Sequence, residues 1–157
     1  MKYIYGPVKS RRLGFSLGIS LTPYKVCTFD CVYCQLGKTT EKTTERKEYI
    51  PIKEIIDELK LWLQNNASEL KNLNYITISG SGEPTLNIGI GGLIAEIKSI
   101  TDVAVAVITN SSLLYDHSLR RDLNLADLVV PSLDAVNPAL FKRVDRPEDD
   151  IKIEDII

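Results

Sequence analysis

The chemistry-bearing residues of this 157-residue chain crowd into one short segment. Its only cysteines are Cys27, Cys31 and Cys34, in the run Cys27-Thr28-Phe29-Asp30-Cys31-Val32-Tyr33-Cys34. An odd number of thiols at C-x3-C-x2-C spacing is not a disulfide framework. No apolar stretch followed by a cleavage site opens the chain, so we expect no signal peptide and a cytoplasmic location. There thiols stay reduced, and clustered reduced thiols are metal ligands or redox groups.

Three chemistries compete. A structural zinc site wants four closed ligands. The single histidine, His117, stands 83 positions after Cys34, in a stretch that reads as the start of a helix, and a surface role suits it better than a fourth ligand. A thioredoxin-like pair, Cys31 with Cys34, leaves Cys27 without a role. A four-iron cluster normally takes four thiolates. With three, one iron lacks a protein ligand and can accept a substrate or cofactor, much as a catalytic zinc keeps an open position. The donor count therefore favours a reactive cluster.

A second constellation is Gly80-Ser81-Gly82-Glu83-Pro84. Gly80 and Gly82 allow a sharp turn and close backbone approach to a ligand, and Glu83 can pair with a cation. By itself the segment reads more readily as an ordinary turn with a solvated glutamate. It is no dinucleotide fingerprint, because Thr85 stands where a third glycine would. Gly37-Lys38-Thr39 imitates the end of a phosphate-binding loop, but Val32 occupies the position of the required upstream glycine.

The C-x3-C-x-aromatic-C pattern, with Tyr33 before the last cysteine, resembles the cluster motif of the radical S-adenosylmethionine (SAM) superfamily. The resemblance implies that Cys27, Cys31 and Cys34 hold a [4Fe-4S] cluster. It also implies that SAM chelates the fourth iron and that Tyr33 lies near the adenine. Gly82, Glu83 and Pro84, with Gly80 one step earlier, resemble the superfamily's Gly-Gly-Glu motif, which binds the methionine amino group. Asn110 resembles part of a Thr-Asn-Gly turn in relatives, although Ser111 replaces the glycine. Ser132 and Asp134 stand where relatives place polar groups against the SAM ribose; from the residues alone they read equally as a helix cap.

Tyr5 through Gly14, Pro131 through Ala135, and Arg146-Pro147 resemble the iron–sulfur oxidoreductases related to tRNA wyosine-base enzymes. The activity implied is reductive cleavage of SAM to a 5′-deoxyadenosyl radical that takes hydrogen from a substrate. An electron donor such as flavodoxin or ferredoxin would be required. Substrate-contacting catalytic residues are not legible.

The elements that must position these groups follow from periodicity. Residues 16–23 read as a first strand closed by Pro23, and residues 36–48 as an exposed polar loop or edge segment. Pro51 can open a helix, and Ile52, Ile55, Ile56, Leu59 and Leu63 share one face of a helix over 51–65, with Trp62 beside them as core. Strands are expected at 75–79, 103–109 and 127–133. Helices are expected around 90–97, 115–123, 137–143 and 151–157. Alternating strands and helices predict an α/β fold with parallel strands.

Each candidate site follows a strand end, where such folds place their chemistry. With the resemblance, the expectation is a partial (βα) barrel in one domain, residues 1–157, with about four βα units of the six in a complete core. The chain thus looks C-terminally short. An open sheet edge after the fourth strand predicts a partner chain or self-association.

Composition excludes other classes. At 44% hydrophobic and 25% charged residues the chain suits a globular core rather than disorder, a collagen-like fibre or a coiled coil. No apolar run reaches the roughly 18 residues of a membrane span. The net charge of −2 divides unevenly, with +5 over residues 1–50 and −7 over the remainder. The basic first third tilts slightly toward an anionic substrate such as RNA, tRNA or a phosphorylated metabolite. A small molecule stays open, and so does a solvated loop whose charges cluster by chance. The competing expectations are a cluster- and SAM-binding subunit that is catalytically incomplete, and a zinc module that contacts RNA.

Overall fold

The computed structural model describes residues 1–157. Strands β1 (Ile4–Ser10) and β2 (Gly14–Ser20) form an antiparallel hairpin. Strands β3 (Val26–Cys27) and β4 (Glu41–Lys42) make a small separate parallel pair beside the cysteine loop. Helix α1 (Ile52–Asn65) leads to β5 (Tyr75–Ser79), and α2 (Ile90–Ile100) to β6 (Ala104–Thr109). Helix α3 (His117–Leu123) leads to β7 (Leu128–Pro131), and α4 (Pro138–Val144) follows.

The main sheet runs β1-β2-β5-β6-β7. All its pairs are parallel except β1 with β2. This is an α/β fold with a mostly parallel sheet. No helix is long and apolar enough to cross a membrane.

Two expectations need correction. Strand β1 was not anticipated, because Gly6-Pro7 interrupts any alternation and the strand is mostly exposed. Proline is tolerated on an edge strand, and a register shift between Tyr5 and Val8 absorbs it. Residues 151–157 do not form a helix; only a 3-10 turn spans Ile153–Asp155. Ile151 and Ile153, both buried, flank Lys152, whose φ of −111° and ψ of 144° are extended. The chain therefore enters this turn extended, and both side chains reach one small core.

The helical stripe of α1 is as expected: Ile55, Ile56, Leu59 and Trp62 are buried. They join Ile90, Leu93, Ile94 and Ile97 of α2 against Leu17, Ile19, Ile76, Ile78, Val105 and Val107 of the sheet. The sheet residues alternate with Ser16, Gly18, Thr77 and Ala106, which therefore face the other side. One face of the sheet thus carries the core, and the strand ends carry the loops described next.

Candidate functional site

The C-terminal ends of β2, β5, β6 and β7 lie side by side, so the segments that follow them meet at one end of the sheet. The loop after β2 is pinned there by backbone bonds. Lys25 N–H donates to Ser81 O at 2.5 Å, and Glu83 N–H donates to Val26 O at 3.1 Å. Glycine is required at this crossing. A Cβ on Gly82 would lie 2.0 Å from Val26 O, and one on Gly80, where φ is +97°, would lie 2.2 Å from Ser20 Oγ. The close approach that these glycines permit is to the chain's own backbone and to Ser20.

The far side of the cysteine loop rests on a second, smaller core. Phe29 packs edge-on against Phe141, ring centroids 5.4 Å apart, together with Ile151 and Ile153. Val32 N–H donates to Val144 O at 2.9 Å and Glu148 N–H to Thr28 O at 2.9 Å. The thiols are thereby clamped between the Gly80–Glu83 turn and the segment following α4, where Arg146 and Pro147 lie.

Cys27, Cys31 and Cys34, all half-buried, line one cavity of about 240 Å³ with Tyr33, Gly80, Gly82, Glu83, Pro84, Asn110 and Ser132. Of the site residues expected from sequence, only Asp134 falls outside it. Asp134 is exposed and accepts the Tyr33 hydroxyl at 2.5 Å. Neither Ser132 nor Asp134 caps a helix, since Asn137 caps α4. A larger cavity, about 490 Å³, lies beside Tyr3 and Tyr49 and contains no thiol; the reactive groups are in the smaller one.

The surroundings of the sulfurs suit negatively charged ligands. Lys25 Nζ donates to Cys34 Sγ at 3.1 Å, and Asn110 Nδ2 approaches Cys27 Sγ at 3.6 Å. Burial pushes the Cys27 thiol up to about 11, with Glu83 adding to the rise and Lys25 opposing it. Burial likewise pushes Cys31 up to about 12, with Asp145 adding and the Tyr33 hydroxyl opposing. Without metal these two groups hold their protons near neutral pH, and a metal must displace them. The three sulfurs, their two N–H donors and the shared cavity fit a metal cluster bound through thiolates. No group of three or more His, Cys, Asp and Glu side chains is arranged to hold a single metal ion.

Glu83 is 2% exposed, and both its carboxylate oxygens accept hydrogen bonds from the chain. Its Oε1 accepts Thr85 Oγ1 at 2.6 Å, Thr109 Oγ1 at 2.7 Å and Thr85 N–H at 3.2 Å, while Oε2 accepts Asn110 N–H at 2.8 Å. Burial raises its pKa, and these donors oppose the rise. Ser111, the position where the resemblance predicts glycine, adopts φ +71°. The left-handed turn is therefore kept without glycine, and Ser111 Oγ donates to Ser132 O at 2.8 Å.

Sequence reasoning missed Lys25 and Asp145. Lys25 stands two positions before Cys27, and nothing in its spacing announces burial. Asp145 lies far along the chain, 2% exposed, and Cys31 Sγ approaches its Oδ1 at 3.7 Å. His117 is exposed on α3, away from the thiols.

Comparison with known proteins decides the family. The family model for the radical SAM superfamily matches residues 21–156. The chain belongs to the radical SAM superfamily. It is 37% identical over 159 residues to a UPF0026 protein of Methanocaldococcus jannaschii, covering 48% of that protein. It is 50% identical over 156 residues to a protein of Brachyspira hyodysenteriae named GTPase Obg, covering 22% of it. A more distant relative is the GTP 3′,8-cyclase of Alkaliphilus metalliredigens, 28% identical over 134 residues and matched over 38% of its length.

The chain thus spans between about a fifth and about half of the length of these matched proteins. The GTPase name belongs to the longer protein. Here Gly37-Lys38-Thr39 lacks the upstream glycine of a phosphate-binding loop.

Proposed function

We propose that the chain is the cluster- and SAM-binding core of a radical SAM enzyme, built as part of a (βα) barrel. The observation that carries this reading is the convergence of all three thiols with the Gly-Glu-Pro turn and Asn110 in one cavity. Cys27, Cys31 and Cys34 hold iron as thiolates. In this superfamily a bound [4Fe-4S] cluster supplies the electron that cleaves SAM to methionine and a radical able to take hydrogen from substrate.

The chain's own residues bind, orient and shield. Asn110 and Lys25 direct N–H groups at the ligand sulfurs. Glu83 Oε1 is saturated by three donors, whereas Oε2 takes one. A carboxylate oxygen has two lone pairs, so Oε2 retains capacity for a cationic amino group such as that of SAM. Tyr33 offers its ring at the cavity mouth, and burial together with Asp134 raises its pKa so that the hydroxyl keeps its proton. Ser132 lines the same cavity and suits a sugar hydroxyl.

For the substrate we favour an anionic molecule, RNA or tRNA among them. The local support is modest: Lys42, Lys142 and Arg146 line a cavity of about 290 Å³ on the outer side of the cysteine loop, together with Glu148 and Asp149. Lys42 is paired with Glu148 and Arg146 with Asp30, so Lys142 is the cation there without a carboxylate partner. Arg11 and Arg12, which contribute to the basic first third, sit at the β1–β2 turn. That turn is at the opposite end of β2, some 20 Å away at strand rise, and does not serve this purpose.

The deciding experiment is anaerobic reconstitution with iron and sulfide, reduction, addition of SAM and assay for methionine and 5′-deoxyadenosine. Turnover supports the enzyme. The second reading, a cluster- and SAM-binding module that works only with further protein, is favoured by β7, which has a strand partner on one side only. It predicts cluster formation without SAM cleavage. Zinc uptake without iron would contradict both.

A further inference from the structure

Lys25 is the lysine whose burial is nearly complete, at 2% exposure. Its ammonium forms no ion pair; the paired lysines are Lys2, Lys42, Lys47, Lys53 and Lys98. A buried charge is costly to hold unpaired. No carboxylate lies within ion-pair distance of this one; Asp30 feels it only from farther off, and Glu83 lines the same cavity without touching it. Further negative charge at the thiols would therefore be favourable. The side-chain acceptor it meets is Cys34 Sγ, 3.1 Å from Nζ.

The backbone holds this lysine in place from several directions. Its φ is +56°, in the left-handed region. Its N–H donates to Ser81 O at 2.5 Å, and its carbonyl accepts Thr40 N–H at 3.1 Å and Glu41 N–H at 3.3 Å. Lys25 is thus tied to the Gly80–Glu83 turn on one side and to β4 on the other. A residue placed only to fill space there would be apolar, and one placed for solubility would reach water. Neither describes an ammonium aimed at sulfur.

The geometry points to Lys25 as the counter-charge of the cysteine ligand set, a positioning residue that donates to the Cys34 sulfur and favours the one-electron-reduced state of the bound cluster. This rests on the proposed cluster-binding function. Hydrogen bonds and charge at ligand sulfurs are among the features that set the potential of iron–sulfur centres. A fixed positive charge stabilises an added electron by Coulomb attraction, most strongly where water is excluded. The step concerned is the gain of one electron from an external reductant, with no proton moved and no bond broken.

The test is a reductive titration with dithionite-poised mediators, followed by electron paramagnetic resonance, on anaerobically reconstituted wild type, Lys25→Met and Lys25→Arg. Iron and sulfide are counted in each. We expect equal cluster content and a Lys25→Met midpoint more negative by at least 59 mV, a tenfold loss in the one-electron equilibrium. Lys25→Arg recovers most of the shift. Equal midpoints at equal cluster content overturn the inference, as does a positive shift.

Where Lys25→Met loses the cluster, the comparison passes to Lys25→Gln, which keeps a donor without charge, and Lys25→Arg, which keeps both. A more negative midpoint in Lys25→Gln supports the inference, and equal midpoints overturn it. A wild-type chain that takes up no cluster overturns the proposed function itself, an outcome distinct from an unmoved potential.

Discussion

Glu83 Oε2 accepts the backbone N–H of Asn110 at 2.8 Å, tying the loop after β5 to the end of β6. The same carboxylate takes the hydroxyls of Thr85 and Thr109 on its other oxygen. A glutamate expected to serve a ligand therefore also organises the strand ends around the thiols.

Glu83→Gln keeps the shape but turns one acceptor oxygen into an NH2 donor. Either Asn110 N–H or the Thr85 and Thr109 donors then lose their partner in a buried site. Hydrogen bonds to a charged group are worth about 1.5–3 kcal/mol, and stranding their partners costs more. We expect about 3 kcal/mol lower stability in urea unfolding, with an unchanged m-value. A midpoint equal to wild type would show that the carboxylate is not the tie.

Gly82→Ala acts on the cysteine loop without touching a cysteine. The new methyl would meet the Val26 carbonyl, a backbone atom that cannot rotate away. Overpacking costs typically about 1–3 kcal/mol, and Val26 adjoins Cys27. Iron uptake on anaerobic reconstitution should fall severalfold while all three thiols still titrate with a thiol reagent in denaturant. Undiminished iron uptake would show that the crossing of these loops does not position the ligands.

Ser111 tests the left-handed turn beside Asn110. A residue other than glycine pays about 1–2 kcal/mol in this backbone region, which Ser111 offsets with its bond to Ser132 O. Ser111→Ala loses the bond and keeps the strain, so it should unfold about 1 kcal/mol more easily. Ser111→Gly loses the bond and the strain together and should lie within about 1 kcal/mol of wild type. Thermal unfolding checks the order; alanine above glycine would contradict the assigned conformation.

Asp116 predicts an acid limb in stability. It caps α3, accepting Ser118 N–H at 2.7 Å and Leu119 N–H at 3.4 Å, and pairs with Arg46 at 2.8 Å. Chiefly through the Ser118 hydroxyl, its pKa is lowered from 3.8 to about 2. A depressed carboxyl stabilises the fold above its unfolded pKa, and that contribution is lost as pH falls through the folded one. Wild-type stability should thus decline between about pH 4 and pH 2 with a component that Asp116→Asn lacks. Urea midpoints measured across that range decide it, and parallel curves for the two proteins would refute the assignment.

What could be read beforehand was what local periodicity and donor chemistry control. The Ile55-Ile56-Leu59 stripe gave α1, and the thiol spacing with Gly82-Glu83-Pro84 gave residues that do share a cavity. What escaped depends on packing between distant segments. Strand β1 is defined by its pairing with β2 rather than by any alternation across Gly6-Pro7. The burial of Lys25 arises from its bond to Ser81 and its wrap by Thr40 and Glu41. Two of the partners of Glu83, Thr109 and Asn110, come from the end of β6, so its sequence neighbourhood favours a solvated side chain. A helix is expected over 151–157, yet Ile151 and Ile153 pack with Phe29 and Phe141 and only the 3-10 turn Ile153–Asp155 forms.

The most direct measurement is Mössbauer spectroscopy of the iron-57-reconstituted, oxygen-free chain before and after SAM is added. The arrangement of Cys27, Cys31 and Cys34 predicts a four-iron cluster in which one iron changes its spectrum on SAM binding and the other three do not. Absence of a four-iron cluster, or four irons indifferent to SAM, would contradict it.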